Sequence, residues 1–153
     1  MLDLAKLGPA AEAALGACFE FRGKSPVSGF DCLGLVAWIY AQADHPLKYD
    51  EPEDYPQEWW PMRPSLFIDG LRRHATMIPV TALLRPGDIV MFAIGSQMVT
   101  HVGVLLGGDE FVHCFLGRGV IKSRLSQAYW RGYFVGAARV LAAQPTGKVD
   151  GRE

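Results

Sequence analysis

The stretch Gly29-Phe30-Asp31-Cys32-Leu33-Gly34-Leu35-Val36 places a cysteine directly behind an aspartate, where a Gly/Pro-rich loop gives way to apolar residues at helical spacing. Asp is a favoured N-cap, so Asp31 can satisfy the unpaired N–H groups of a first helical turn and positions the nucleophile candidate Cys32 at its start. A thiol held there feels the positive end of the helix dipole, which favours the thiolate, the reactive form of cysteine. Val36, Ile39, Tyr40 and Ala43 follow Cys32 at offsets of four, seven, eight and eleven, one face of a helix running to about Ala43. The thiol is therefore expected to point toward the core, at the edge where this helix parts from its neighbour. The commonest role of a free cysteine is structural. A catalytic reading requires that the chain also supply a base.

At 153 residues, half apolar and one-fifth charged, the chain has the size and composition of one soluble globular domain. The expected division is a single domain over residues 1–141 and a frayed tail over 142–153, where nothing remains to be buried. A net charge of −1 without a basic or acidic run leaves no electrostatic footprint for nucleic acid or an anionic membrane, and no apolar run is long enough to span one. Three cysteines at irregular spacing argue against a disulfide framework. The charges and proline in the first nine residues do not make a signal peptide, so the chain is expected to be cytoplasmic when synthesised.

Pro9 to about Phe21 reads as a helix with Cys18 in the core. Residues 45–64 hold five of the ten prolines together with Tyr49, Tyr55, Trp59, Trp60 and an acidic cluster, and form a long loop. It is either an excursion packed on the body or a wall of a binding cleft. Ser65 to about Thr76 is a further helix capped by Ser65, with His74 exposed. After the turn Arg85-Pro86-Gly87-Asp88 the period becomes that of strands: Ile89 to Ile94, Val99 to Leu106, Glu110 to Leu116 and Tyr133 to Leu141, with a short strand possible at Val120-Ile121. Helices followed by antiparallel strands predict an α+β fold.

Two histidines sit inside apolar strands, His101 in Thr100-His101-Val102-Gly103-Val104 and His113 in Phe111-Val112-His113-Cys114. A two-residue turn at Gly107-Gly108 would set His113 opposite Val102 and put the histidines on opposite sheet faces. A three-residue loop through Asp109, or an equivalent bulge, sets His113 opposite Gly103 and diagonally beside His101. The second register is the one that lets the imidazoles meet. It also turns Cys114 to the opposite face, as a buried spacer. A zinc site from Cys32, His101, His113 and Cys114 lacks any paired short spacing, and adjacent strand residues point apart, so no metal is expected.

Taken in order, the Cys32 motif, Arg85-Pro86-Gly87-Asp88-Ile89-Val90-Met91-Phe92, His101-Val102-Gly103-Val104 and Phe111-Val112-His113-Cys114 resemble the signature segments of NlpC/p60 cysteine peptidases over about residues 18 to 140. The resemblance implies a papain-like α+β fold, with the nucleophile at the N-terminus of a helix packed on an antiparallel sheet that carries the histidines. It implies Cys32 as nucleophile, His101 as general base and acid, His113 as the group orienting His101, and no cofactor. The implied substrate is the stem peptide of peptidoglycan. Family peptidases have Ser after the nucleophile and an upstream Tyr, both contacting substrate. Here Leu33 and Phe19 stand there, and with Arg22, Trp59 and Trp60 they are the expected substrate contacts. Leu33 and the proline- and tryptophan-rich segment resemble the phage-tail branch of the family, whose implied partners are proteins of a phage tail or gene-transfer particle and which would act at the cell wall. Three rivals stand beside the peptidase reading: a deamidase, acyltransferase or N-acyl-amino-acid hydrolase built on the same machinery, a non-catalytic tail or binding module, and a metal module that bound zinc would reveal.

Overall fold

The computed structural model describes residues 1–49 and 57–141, without the side chains of residues 57, 59 and 60. The expected tail over 142–153 and the acidic part of the long loop, residues 50–56, lie outside the described residues.

A short 3-10 helix at Leu4–Lys6 leads into α1 (Leu7–Ala14), and a two-stranded hairpin, β1 (Lys24–Ser25) and β2 (Gly29–Phe30), delivers the chain to α2 (Cys32–Gln42). A second 3-10 helix, Gln57–Met62, precedes α3 (Arg63–Leu71), and a third spans Arg72–His74. The strands β3 (Ala75–Ile78), β4 (Ile89–Phe92), β5 (His101–Gly107), β6 (Glu110–Phe115), β7 (Gly119–Arg124) and β8 (Phe134–Val140) follow, with α4 (Ala128–Tyr133) between the last two. They form one antiparallel sheet in the order β3-β8-β4-β5-β6-β7. This is the α+β architecture expected from the periodicities.

The sheet has an apolar layer on each side. Helices α1, α2 and α3 bury Ala11, Leu35, Val36, Ile39, Tyr40 and Phe67 against Val102, Val104, Val112 and Val120. On the opposite face Val90, Phe92, Leu105 and Phe111 pack with Trp130 of α4. Each fully buried large apolar side chain contributes roughly 1.5–3 kcal/mol, so both layers hold the central strands in place. The Arg85-Pro86-Gly87-Asp88 turn is tied both to the sheet and to α2. Arg139 of β8 grips the buried Asp88 carboxylate with Nε at 2.9 Å and Nη2 at 2.8 Å, and the Tyr40 hydroxyl donates to the Gly87 carbonyl.

Several local expectations change. The first helix ends at Ala14, because Leu15 leaves helical geometry with ψ 136°, so Cys18 lies beyond it and is exposed instead of in the core. The third helix starts at Arg63 behind Met62, with a proline in its first turn, so Ser65 lies inside the helix and caps nothing. The expected helical end near Thr76 is instead strand, because Ala75–Ile78 pairs with Val140–Ala137 at the sheet edge. Gly119–Arg124 is a full strand along β6, longer than the Val120-Ile121 pair that periodicity suggests.

Candidate active site

Asp31 adopts the extended N-cap conformation, and its Oδ1 accepts from the Gly34 N–H at 2.7 Å. Its Oδ2 accepts from the Arg22 N–H at 3.0 Å and pairs with the Arg63 guanidinium at the start of α3. Asp31 is 1% and Arg63 3% exposed, so this is a buried ion pair beside the thiol. The Gly23 carbonyl lies so close to α2 that a Cβ on Gly34 would sit 1.8 Å from its oxygen, and only glycine fits there. The same overlay of the 23–30 loop buries the whole first turn of α2. Leu33 is 1% exposed and packs inside the core, where a substrate contact had been expected of it.

The register of β5 and β6 is the one that unites the histidines. Val104 pairs with Val112 and Leu105 with Phe111; Leu106 then bulges, and Gly107 pairs with Glu110 across a Gly108-Asp109 turn. The bulge does the work of the three-residue loop. His101 Nε2 lies 2.8 Å from His113 Nδ1, and His113 Nε2 lies 2.8 Å from Ser123 Oγ on β7. Gly103 makes room for this arrangement: a Cβ there would stand 3.0 Å from His113 Cβ and 2.8 Å from the Val112 carbonyl oxygen. Trp130 stacks on His101 (centroids 5.6 Å, 28°) and meets His113 edge-on at 4.6 Å. Cys114 faces the helical layer, where its Sγ donates to the Phe30 carbonyl at 3.1 Å, as the strand parity requires.

Cys32 and His101 line one cleft of about 240 Å³ at the ends of the central strands. Phe19, Ile94, Phe115 and Leu116 line it too, as do Pro61 and Pro64 from the end of the proline-rich segment, and no Asp, Glu, Lys or Arg among the described residues does. Phe19, expected as a substrate contact, is one of the residues lining this cleft. Arg22 does not line the cleft: its N–H serves Asp31 and its guanidinium lies over the Phe21 ring. Trp59 and Trp60 fall in the 3-10 helix ending at Met62, but their side chains lie outside the described residues. Sequence reasoning missed Arg63, Ser123 and Trp130. Arg63 stands out only as a charge between Met62 and Pro64, and nothing local marks a serine or tryptophan as a neighbour of residues far away in the chain.

The model of the NlpC/P60 family matches residues 16–139. The chain belongs to the NlpC/P60 family. Similar proteins include a probable endopeptidase, YafL, of Escherichia coli K12, 31% identical over 138 residues that cover 87% of this chain and 48% of YafL. Murein DD-endopeptidase MepH of the same organism is 30% identical, over 83% of this chain and 42% of MepH. The chain spans less than half the length of either relative. A crystal structure of an NLP/P60 family protein similar to a lipoprotein, from Staphylococcus aureus Mu50, superposes with a TM-score of 0.67 at 26% identity, covering 92% of this chain and 42% of that one. The papain-like α+β fold of the NlpC/P60 proteins is therefore the fold of this chain.

In this NlpC/P60 site burial dominates the electrostatics. It pushes the Cys32 thiol up to about 12, and the Asp31 carboxylate adds to the shift; a hydrogen bond with the Val102 backbone and the Arg63 charge oppose it without cancelling it. Burial pushes His101 down to about 3. His113 falls to about 2 through burial, then repulsion from His101 and Arg118. The thiolate expected from the helix terminus is thus not the resting form, because desolvation outweighs the terminal N–H groups. The site thus rests as a thiol and two neutral imidazoles.

Proposed function

We propose that this chain is a cysteine endopeptidase or amidase that hydrolyses peptidoglycan stem peptides through a thioester on Cys32. The observation that carries the reading is the shared cleft of Cys32 and His101, with the Nε2 of His101 held by His113 so that Nδ1 is the nitrogen left for the thiol. Cys32 Sγ would attack the scissile carbonyl as its proton passes to His101, and the backbone N–H groups at the start of α2 would receive the oxyanion. His101 would return the proton to the leaving amine, leaving an acyl-thioester. Water, deprotonated by His101, would then attack the thioester carbonyl, and the returning proton would restore the thiol. The names of YafL and MepH support endopeptidase chemistry and, for MepH, a murein substrate.

A second reading keeps the machinery and changes the acyl group. It is favoured by the largely apolar and uncharged lining of the described cleft, whose polar members besides Cys32 and His101 are Thr100 and Cys114, and by Phe19 in place of a hydroxyl-bearing residue, since such walls do not pair with the carboxylates of a stem peptide. Digestion of purified muropeptides with mass readout, beside a set of N-acyl amino acids, separates the two. The first reading expects cleaved muropeptides with wild type and none with Cys32→Ala, while stability stays within about 1 kcal/mol. Undiminished turnover by Cys32→Ala would reject both readings, and no turnover of either substrate class by wild type would favour a binding module. The phage-tail role rests on Leu33 and the proline- and tryptophan-rich segment alone, and the genes neighbouring this one test it.

A further inference from the structure

The hydrogen-bond chain on the sheet does not stop at His113. On the ladder of β6 and β7, Phe111 pairs with Ser123 and His113 with Ile121, so Ser123 stands diagonally beside His113 on the same face. Its hydroxyl lies 2.8 Å from His113 Nε2, and its residue is 8% exposed. Three buried groups therefore form one line: His101 Nε2 to His113 Nδ1, and His113 Nε2 to Ser123 Oγ.

We propose that Ser123 is a positioning residue that sets the tautomer of the whole relay. The inference rests on the reading of Cys32 and His101 as nucleophile and base. Both imidazoles are buried and neutral, so each carries one proton, and the line can be protonated in only two consistent senses. In the productive sense His101 carries its proton on Nε2 and donates to His113 Nδ1, while His113 carries its proton on Nε2 and donates to Ser123 Oγ. His101 Nδ1 is then bare and can accept the thiol proton. In the opposite sense Ser123 donates to His113 Nε2, His113 donates from Nδ1 to His101 Nε2, and His101 holds a proton on Nδ1 where the base should be.

Once His101 has taken the thiol proton, both of its nitrogens are donors, and His113 Nδ1 must accept. The imidazolium formed during attack therefore requires the same sense, with Ser123 as the terminal acceptor. Among the described residues, the hydroxyl of Ser123 is the hydrogen-bond partner of His113 Nε2. Without the hydroxyl, a buried N–H at Nε2 loses its partner, and His113 gains by moving its proton to Nδ1, the unproductive sense.

The test combines nitrogen-15 NMR of histidine-labelled protein at pH 7 with steady-state hydrolysis of muropeptides, for wild type, Ser123→Ala and Ser123→Thr. Wild type is expected to carry the protons of both His101 and His113 on Nε2. Ser123→Ala should move His113 toward the Nδ1-protonated form and lower kcat at least about tenfold with KM unchanged. Ser123→Thr, which keeps the hydroxyl and suits a strand, should restore both. A wild-type His113 protonated on Nδ1 overturns the proposal, as does a Ser123→Ala protein that keeps the Nε2 form, whatever its kcat. If Ser123→Ala does not fold, the wild-type and Ser123→Thr tautomers decide. Failure of the wild type to cleave any muropeptide would count against the proposed function, and the NMR result would still decide the tautomer.

Discussion

Cys32 keeps its proton because it is 7% exposed beside a carboxylate, although it stands at a helix N-terminus and near an arginine. Its alkylation should therefore be slow at pH 6 and rise toward alkaline pH, as the reactive thiolate appears only there. Cys18, exposed in the loop after α1, supplies an internal comparison. Peptide mapping after brief iodoacetamide treatment is expected to find Cys18 modified ahead of Cys32; selective labelling of Cys32 at pH 6 would contradict the burial account. Sequence alone picks out Cys32, His101 and His113, because reactive side chains in apolar strands and at a capped helix are rare arrangements. It does not reveal the protonation state, since desolvation is set by what the fold lays over the site: the 23–30 loop above α2, and Trp130 against the imidazoles.

Among the elements, α2 and α3 are joined by the buried pair of Asp31 and Arg63, so the cap of the helix bearing Cys32 depends on a second helix. Replacing Arg63 by methionine leaves a buried carboxylate without this partner and should cost roughly 3–5 kcal/mol in urea unfolding. Asp31→Asn retains a capping oxygen for the Gly34 N–H. The double variant is accordingly expected to lose less than the sum of the two single changes, and strict additivity would show that the pair is not coupled. The helix starting at Cys32 and the strands around both histidines were legible from periodicity. The sequence left two hairpin registers open, and the bulge at Leu106 selects the one in which the two imidazoles meet. Strand β3 and helix α4 were not legible: the first is extended because β8 pairs with it, and the second is too short to show a helical period.

For the molecule as a whole, both relay histidines have folded values below the ordinary 6.5, so below that pH the unfolded chain binds more protons than the folded one. Stability present at pH 7 should thus be lost as the pH falls from about 6.5 toward 3, by up to roughly 1.4 kcal/mol per pH unit for each histidine. Denaturant unfolding of wild type and His113→Gln at pH 7 and pH 5 checks this: the variant should lose less stability on acidification, and equal losses would remove His113 from the balance. The sequence by itself determined the α+β class, the capped helix bearing Cys32 and the strands bearing His101 and His113, because caps and hydrophobic periods act between neighbours along the chain. Tertiary structure decided that Leu33 is buried, that Arg63 holds Asp31, that Trp130 dries the imidazoles and that Ser123 ends their hydrogen-bond chain. Each of these depends on segments distant in sequence meeting in a shared core, where burial sets both contact and charge.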